Sequence, residues 1–303
     1  MSDAGQDYNA VVIETRYVHD ALMILRVRPD GGVSTFQPGQ YTTLGLRTAE
    51  PRIDGICCVE PTSSHLIRRA YSIGHSILDD SRELLAQKDC DFLEFYITLV
   101  RKPFDTPPSL TPRLFNLRPG SRIFVDPKTH GRYTLESIES TDNIVFAATG
   151  TGEAPHNAMV AELLGRHHHG KIASIVSVRY RRDLGYLAAH RLLESYFSNY
   201  RYVPLTTREE ENTDVNRADF VGKRYLQDVF SSNTMSDRIG WDPDPANTHV
   251  FLCGSPVMIG VPVHEEDGEV FPKPIGMIEI LTKRGFQPDR PRAPGNVHFE
   301  KYW

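Results

Sequence analysis

Short hydrophobic runs separated by turn-forming residues make up the N-terminal half of the chain. The runs are rich in Val, Ile, Thr, Tyr and Phe, and they occupy residues 10–18, 22–28, 40–46, 69–73 and 91–101. Pro-Asp-Gly-Gly and Pro-Gly turns and a proline-rich stretch separate them. Evenly spaced short strands of this kind are typical of an antiparallel barrel or sandwich. We also predict one helix here, which begins near Thr111 as its cap and ends before Pro119.

From about residue 141 the pattern changes to longer alternating segments. Strand-like apolar runs occupy residues 143–149, 171–180, 202–206 and 248–253, and helix-like segments occupy 155–167 and 186–200. Strands that alternate with helices of this length predict a parallel sheet built from βαβ units. We therefore expect an antiparallel β-barrel domain over residues 1–140 and an α/β domain over 141–303. Two stretches, 209–220 and 260–274, are expected to be surface insertions.

Composition narrows the class of protein. The 303 residues are enough for two cores, and 40% hydrophobic with 24% charged residues is ordinary for a soluble globular protein. With 34 Lys and Arg against 39 Asp and Glu, the net charge of −5 argues against non-specific nucleic-acid binding. No apolar run is long enough for a membrane span, and the N-terminus does not look like a secretion signal. The four cysteines show no metal-binding spacing and suggest free thiols in the cytoplasm.

The clearest local motif is Gly-Thr-Gly-Glu-Ala-Pro at 150–155, between an apolar strand and an amphipathic segment. Glycines at such a junction let backbone N–H groups approach a pyrophosphate, and the helix N-terminus adds partial positive charge. Pro155 suits the first turn of that helix. It also replaces the third glycine of the usual dinucleotide fingerprint, so a standard Rossmann motif is not predicted.

Two further motifs lie in the N-terminal half. Arg69-Ala70-Tyr71-Ser72 combines a guanidinium for a phosphate, an aromatic plane for stacking and a hydroxyl at the end of a strand. On a strand, Arg69 and Tyr71 point the same way. The segment Ser-Leu-Thr-Pro-Arg-Leu at 109–114 is a helix start with free N–H groups for a second phosphate.

Together these motifs resemble the ferredoxin (flavodoxin)–NADP reductase family, particularly its bacterial-type members. The flavin motif Arg-x-Tyr-Ser corresponds to residues 69–72, and the nicotinamide motifs correspond to 150–155 and 253–258. The segment 179–187 is similar to the family's stretch after the second strand of the nucleotide domain, and the tail 292–303 resembles the aromatic-terminated tail of the bacterial type. Each motif alone is shared with related flavin reductases, but the set covers most of the chain.

The resemblance implies that FAD lies between the barrel and the α/β domain. Arg69 would hold the flavin pyrophosphate, Tyr71 would stack on the isoalloxazine ring, and Trp303 would fold back onto the FAD. The FAD-binding residues implied in this way are Arg69, Ala70, Tyr71, Ser72, Tyr96, Ile97, Thr98, Leu110, Thr111, Thr151 and Trp303.

For the second cofactor, the resemblance and the charge pattern both favour NADP(H). A ribose 2′-phosphate needs cations, whereas a 2′-hydroxyl is usually bound by an acidic side chain. Arg179 and Arg208 follow successive predicted strands, and Lys223 lies at a further basic position of the family. The NADP-binding residues implied are Gly150, Gly152, Arg179, Thr207, Arg208, Lys223, Cys253 and Gly254.

Three residues are implied in the chemistry itself. Ser72 would hydrogen-bond near flavin N5, Cys253 would position the reacting C4 carbon of the nicotinamide, and Glu300 would relay a proton. The consecutive histidines at 167–169 would point in different directions on a helix, so no metal site is predicted.

The expected function is electron transfer between NADPH and a small redox protein, ferredoxin or flavodoxin, with hydride transfer to flavin N5 followed by single-electron steps. Such partners are usually acidic, so positive charge is expected near the flavin edge. The candidate docking cations are Arg68, Arg101, Lys102, Lys283, Arg284 and Arg292. We expect a monomer. Two alternatives stay open: the reductase component of an oxygenase system, and a flavin-binding redox sensor without turnover.

Overall fold

The structure is a computed structural model that describes residues 8–53, 64–101, 110–232, 234–265, 268–290 and 293–302. The chain divides into two compact units. The first comprises Met1–Thr134 with Asn157–Ala161, and the second comprises Leu135–His156 with Glu162–Trp303.

The first unit is built on a six-stranded antiparallel sheet. Its elements are β1 (Ala10–His19), β2 (Leu22–Pro29), β3 (Tyr41–Arg47), β4 (Leu66–Ser72), β5 (Leu93–Thr98), α1 (Thr111–Leu114) and β6 (Arg122–Val125). The strand order is β4-β3-β6-β1-β2-β5. A bridge between Gly74 and Glu94 joins the segment after β4 to β5, so the two edges of the sheet meet there. The predicted antiparallel barrel is thereby confirmed.

Hydrophobic side chains at alternate positions of the strands form the core of this unit. Met23, Leu25 and Val27 on β2 point to one face and are fully buried with Phe95 and Ile97 of β5. Side chains two residues apart on a strand share a face, which is why this spacing gives one continuous apolar layer.

The predicted helix after residue 111 is present but shorter than expected. It ends at Leu114, and its N-cap is Leu110 rather than Thr111. The Thr111 hydroxyl instead accepts a hydrogen bond from the backbone N–H of Val100, at 3.2 Å. The capping role predicted for Thr111 was therefore wrong, because this hydroxyl ties the helix to the end of β5.

The second unit is an α/β structure with a five-stranded parallel sheet. Its elements are β7 (Asn143–Thr149), α2 (Glu153–Gly165), β8 (Ile172–Val178), α3 (Leu187–Tyr196), β9 (Tyr200–Thr206), α4 (Glu210–Thr213), α5 (Leu226–Ser231), α6 (Thr234–Ile239), β10 (Thr248–Gly254), α7 (Pro256–Ile259), β11 (Val263–Glu265), β12 (Gly268–Val270), α8 (Met277–Lys283) and β13 (Val297–Lys301). The sheet order is β13-β10-β7-β8-β9, and β11 and β12 form a separate two-stranded sheet. The predicted parallel α/β sheet is confirmed.

Both faces of this sheet are covered. On one face, buried residues such as Val145, Ile175 and Leu252 pack in a common core with α5, α6 and α8. On the other face, Phe146 contacts His156 of α2, with ring centres 4.9 Å apart. Tyr202 stacks on His190 of α3, at 4.0 Å. Helices on both faces are the general reason why parallel strands are apolar throughout.

Several parts of this unit differ from the sequence-based expectation, since the helices α4 to α8 and the strands β11 and β12 were not predicted. The helix predicted over 186–200 ends at Tyr196, and β9 begins at Tyr200. The chain turns between them because Phe197 is extended and the Asn199 side-chain amide donates to the carbonyl groups of His168 and Gly170. The final strand, β13, was not predicted. Among the helices of the described residues, none combines the length and the apolar character needed to span a bilayer.

Candidate functional site

The carboxyl ends of the parallel strands bring most of the predicted second-unit residues to one edge. The chain goes from β7 to β8 and β9 on one side, and later returns to β10 and β13 on the other. The crevice between β7 and β10 is therefore the topological switch point, where open α/β sheets bind ligands. Four interstrand spacings separate β13 from β9, which is roughly 19 Å.

The Gly150–Gly152 turn lies at this switch point and has the geometry of a ligand cradle. Gly150 has φ +54°, and a Cβ added there would meet no atom within 4 Å. Gly152 is the opposite case, since a Cβ would overlap the Cys253 carbonyl of β10. Gly152 is also the N-cap of α2 and makes no side-chain cap hydrogen bond. The turn thus leaves open space at the N-terminus of a 13-residue helix, whose dipole places partial positive charge there. The Glu153 N–H itself is bonded to the carbonyl groups of Gly150 and Thr151.

Next to this turn, Cys253 is the penultimate residue of β10, beside the tail strand β13. Cys253 is paired with Glu300 in the parallel β10–β13 ladder. Burial raises the pKa of the Cys253 thiol well above its usual value, and the negative charge of Glu300 raises it further. The thiol is therefore neutral at physiological pH. It is a small, uncharged and fully buried side chain, and not a nucleophile.

Tyr302 fixes the tail against both elements. Its backbone N–H donates to Gly254 at 2.9 Å, and its hydroxyl donates to the Thr151 carbonyl at 3.4 Å. Its side chain also hydrogen-bonds the Cys253 thiol. The sequence prediction assigned no role to Tyr302; its position one residue before the terminal Trp was the signal that could have identified it.

At the other end of the edge, two arginines lie side by side. The backbone N–H of Arg208 donates to the Arg179 carbonyl at 2.9 Å, and Thr207 bonds the end of β8 through both its N–H and its hydroxyl. Both arginines are exposed, and neither guanidinium is paired with a carboxylate of the described residues. Because two cations on adjacent strand ends attract a group of double negative charge, the pair is suited to a dianion such as a phosphate.

The segment after Arg208 also brings in Lys223 and acidic groups. The N–H groups of Val221 and Gly222 donate to the Glu211 carbonyl, which holds the exposed Lys223 near this segment. Glu211 pairs with the Arg181 guanidinium at 3.1 Å, and Glu209 accepts from the Arg181 N–H. Arg181 is thus ion-paired with a carboxylate, whereas no carboxylate of the described residues is paired with Arg179 or Arg208.

In the first unit, the Arg69–Ser72 motif lies on the edge strand β4. Arg69 is exposed, Tyr71 is half-buried and Ser72 is buried at the strand's end. Tyr71 contacts Phe95 of β5 edge-on, with ring centres 6.4 Å apart. Burial raises the pKa of the Tyr71 hydroxyl, so the ring carries no charge at neutral pH.

The other predicted flavin-site residues lie close to this motif. Tyr96 and Ile97 are buried on β5 and Thr98 is exposed at its end. The Thr111 bond to Val100 then joins Leu110 and α1 to the same strand. Because Ile97 faces the core, a ligand there would contact its backbone and not its side chain. Ala70 is exposed on β4.

Some predicted residues lie outside the described part of the chain, and others are already paired. Trp303, Lys102 and Arg292 are not among the described residues. Of the remaining candidate docking cations, Arg101 pairs with Asp20, Lys283 with Glu279, and Arg284 with Asp242. Arg68 instead stacks over the Phe124 ring at 4.3 Å. Within the described ranges, no group of three His, Cys, Asp or Glu residues is arranged to hold a metal ion.

A buried polar cluster behind the glycine turn was also missed. Glu153, the first residue of α2, is fully buried. Its Oε1 accepts hydrogen bonds from the Tyr202 hydroxyl at 2.8 Å and from His190 Nε2 at 3.1 Å. Tyr200 completes the cluster with a 2.7 Å bond to His190 Nδ1. A charged residue directly after the glycines was the available sequence signal.

The chain is similar to known proteins in both sequence and structure. Residues 146–263 match the model of the oxidoreductase NAD-binding domain. The chain is 25% identical over 272 residues to a flavodoxin/ferredoxin–NADP reductase of Buchnera aphidicola subsp. Schizaphis graminum, covering 89% of this chain and 90% of that protein. It is 27% identical over 241 residues to the protein of that name from Escherichia coli K12, covering 79% and 82% of the two chains.

A solved structure has the same fold. The ferredoxin NADP+ reductase from Neisseria gonorrhoeae, determined with bound FAD and NADP, superposes with a TM-score of 0.70 at 19% identity, covering 97% of this chain and 98% of that chain. The domain model, the full-length sequence similarity and the shared fold agree. The chain is therefore similar in sequence and in fold to the flavodoxin/ferredoxin–NADP reductases, and its second unit matches an oxidoreductase NAD-binding domain.

Proposed function

We propose that the protein transfers electrons between NADPH and a ferredoxin or flavodoxin through bound FAD. The observation that carries the proposal is the position of Cys253, at the strand end next to the Gly150–Gly152 turn and opposite Glu300. A small neutral side chain beside a phosphate-binding turn, with a carboxylate across from it, suits a hydride-transfer site for a nicotinamide.

The residues of the second unit fit NADPH. The open space at Gly150 and the uncapped α2 N-terminus suit the pyrophosphate. Arg179 and Arg208, with Thr207 between the strand ends, suit the 2′-phosphate. The two features lie along one sheet edge, so a single extended dinucleotide can occupy both, with Gly254 and Cys253 at its nicotinamide end.

The residues of the first unit fit FAD. The half-buried Tyr71 ring offers a face for stacking, and Arg69 on the same side of β4 offers an exposed cation for the pyrophosphate. Ser72 at the strand end would hydrogen-bond the flavin, as the resemblance implies. When bound, FAD accepts two electrons from NADPH as a hydride and passes them singly to a one-electron carrier.

The chain's own residues position the reactants and protect the site. Cys253 limits how the nicotinamide can lie without adding charge, because its thiol stays protonated. Tyr302 holds the tail strand, and with it Glu300, against Cys253. Glu300 is half-buried and lies opposite Cys253 in the β10–β13 ladder, where it would hold or release a proton.

Anaerobic titration of the purified, FAD-loaded protein with NADPH tests the proposal. We expect rapid bleaching of the flavin absorbance, faster with NADPH than with NADH, followed by reoxidation when ferredoxin or flavodoxin is added. A protein that takes up no FAD would contradict the proposal. A yellow protein whose spectrum is unchanged by NADPH would instead be the non-catalytic flavin sensor.

A further inference from the structure

The buried cluster of Glu153, His190, Tyr200 and Tyr202 joins three elements at one carboxylate. Glu153 begins α2 directly after the glycine turn, His190 lies on α3, and both tyrosines lie on β9. The relative exposure of Glu153, His190 and Tyr200 is 0%, and that of Tyr202 is 2%. A carboxylate this deeply buried is retained at a cost in folding free energy, so its place beside the turn needs a reason.

The hydrogen bonds define the donor and acceptor at each atom. A carboxylate oxygen can only accept, so His190 Nε2 donates to Glu153 and the His190 Nδ1 atom accepts from the Tyr200 hydroxyl at 2.7 Å, whose pKa burial holds above its usual value. His190 Nε2 thus carries the ring proton, and Glu153 Oε1 also accepts from Tyr202. The stacked rings of His190 and Tyr202, 4.0 Å apart, restrict the direction from which both donors approach. Oε1 is therefore held by two donors, whereas Oε2 is buried with no hydrogen-bond partner among the described residues.

We infer that Glu153 is a positioning residue that fixes the N-terminus of α2 for the dinucleotide pyrophosphate. The inference rests on the proposed function, because it requires the Gly150–Gly152 turn to bind NADPH. Glu153 is the residue that follows Gly152, and its N–H donates to the carbonyl groups of Gly150 and Thr151, so an anchored Glu153 side chain restrains the backbone of the turn and the first residue of α2. Misplacing N–H donors at a helix start by a fraction of an ångström weakens their bonds to a phosphate.

Binding of the 2′-phosphate end of the dinucleotide should not depend on the cluster around Glu153. Thr207 and Arg208 are held by their own hydrogen bonds to the end of β8, at Val178 and Arg179. A ligand that has the 2′-phosphate but no pyrophosphate therefore separates the positioning role from general damage to the fold. Adenosine 2′-monophosphate is such a ligand.

Calorimetric titration of Tyr202→Phe with NADP+ and with adenosine 2′-monophosphate tests the inference. The variant keeps the stacked ring and loses only the hydroxyl that donates to Glu153. We expect the Kd for NADP+ to rise about ten-fold, with that for adenosine 2′-monophosphate changed less than about two-fold. In steady-state assays, the KM for NADPH should rise while kcat stays within about two-fold.

Two further variants make the test decisive. Glu153→Gln keeps the acceptor oxygen and should bind NADP+ nearly as the wild type does, whereas Glu153→Leu should lose at least as much affinity as Tyr202→Phe. The matched control is Glu162→Gln, the same change at an exposed position of α2. The inference is overturned if Tyr202→Phe binds NADP+ normally, if both ligands weaken equally, or if Glu153→Gln is as weak as Glu153→Leu. A wild-type protein that binds neither ligand would instead refute the proposed function.

Discussion

Gly152 lies so close to the Cys253 carbonyl of the neighbouring strand that no side chain fits between them. Gly150, two residues earlier, has a positive φ of 54° but open space around it. The two glycines of one motif thus serve different purposes. One lets α2 and β10 approach, and the other leaves room for a ligand.

This difference predicts different effects of alanine at the two positions. Gly152→Ala should destabilise the protein by about 1–3 kcal/mol or more, because the backbone of β10 must move. Gly150→Ala should cost roughly 1–2 kcal/mol for the left-handed conformation, yet weaken NADP+ binding by about ten-fold or more, because its methyl group occupies the open space. Urea unfolding and NADP+ titration measure the two effects. Equal stability of both variants, with unchanged NADP+ affinity of Gly150→Ala, would contradict the assignment.

Strands were predictable from sequence where their signal lies within one short stretch of the chain. Hydrophobic runs identified β1 to β5 and β7 to β10, and the change from short strands to alternating helices identified the two fold types. The strands β6 and β13 were missed because each is short and is defined by pairing: β6 inserts between β1 and β3, and β13 pairs with β10. Such partners lie far apart in sequence, and a four- or five-residue run does not indicate them.

The same limit applies to the site. The glycine turn and the arginines were predictable because their chemistry is local to a strand end. The Glu153 cluster was not, since its two donors to the carboxylate lie 37 and 49 residues away. Thr111 shows the reverse error: its sequence context predicts a helix cap, but a tertiary hydrogen bond to Val100 takes its hydroxyl.

Removing one arginine of the adjacent pair should change coenzyme preference. A hydrogen bond between a charged donor and a phosphate contributes about 1.5–3 kcal/mol, so Arg208→Ala should raise the Kd for NADP+ about ten-fold or more. Affinity for NAD+, which has no 2′-phosphate, should stay nearly constant. Arg201→Ala, at an exposed position near the start of β9, the strand that precedes Arg208, is the control. Unaltered preference for NADP+ in Arg208→Ala would remove Arg208 from the site.

Buried His75 predicts loss of stability in acid. Burial lowers the pKa of His75 to about 4 from a usual 6.5, and its Nδ1 accepts the Ile77 N–H at 3.0 Å. Between these two pH values the unfolded chain binds a proton that the folded protein does not, so stability is constant above about pH 6.5 and falls as pH decreases towards 4. The loss between pH 7.5 and pH 5 should be about 2 kcal/mol from this residue.

His75→Asn tests this contribution, since the Asn carbonyl can accept the same backbone N–H and does not titrate. Urea unfolding at pH 7.5 and pH 5 should show a smaller loss in this variant than in the wild type. His130→Asn, at an exposed position, should keep the wild-type loss. An identical decrease in the wild type and His75→Asn would show that other groups cause the acid sensitivity.

Partner docking should depend most on Arg68 among the described candidate cations. Its guanidinium lies over Phe124 and is exposed, whereas the Arg101 guanidinium is 2.8 Å from the Asp20 carboxylate. A paired charge has a weaker field at a distance, so it contributes less to the attraction of an acidic protein. Arg68→Ala should therefore slow electron transfer to ferredoxin or flavodoxin about three-fold at low salt, with the difference fading at roughly 0.5 M salt.

Arg101→Ala is the matched control, and it should have a smaller effect at every salt concentration. Stopped-flow reoxidation of the NADPH-reduced protein by each acceptor, measured over a salt series, gives the rates. Because Arg68 lies on the same strand as the Arg69–Ser72 motif, flavin content must be compared as well, and equal flavin absorbance in both variants assigns the rate change to docking. Rates that respond neither to salt nor to Arg68→Ala would show that positive charge on β4 does not guide the partner.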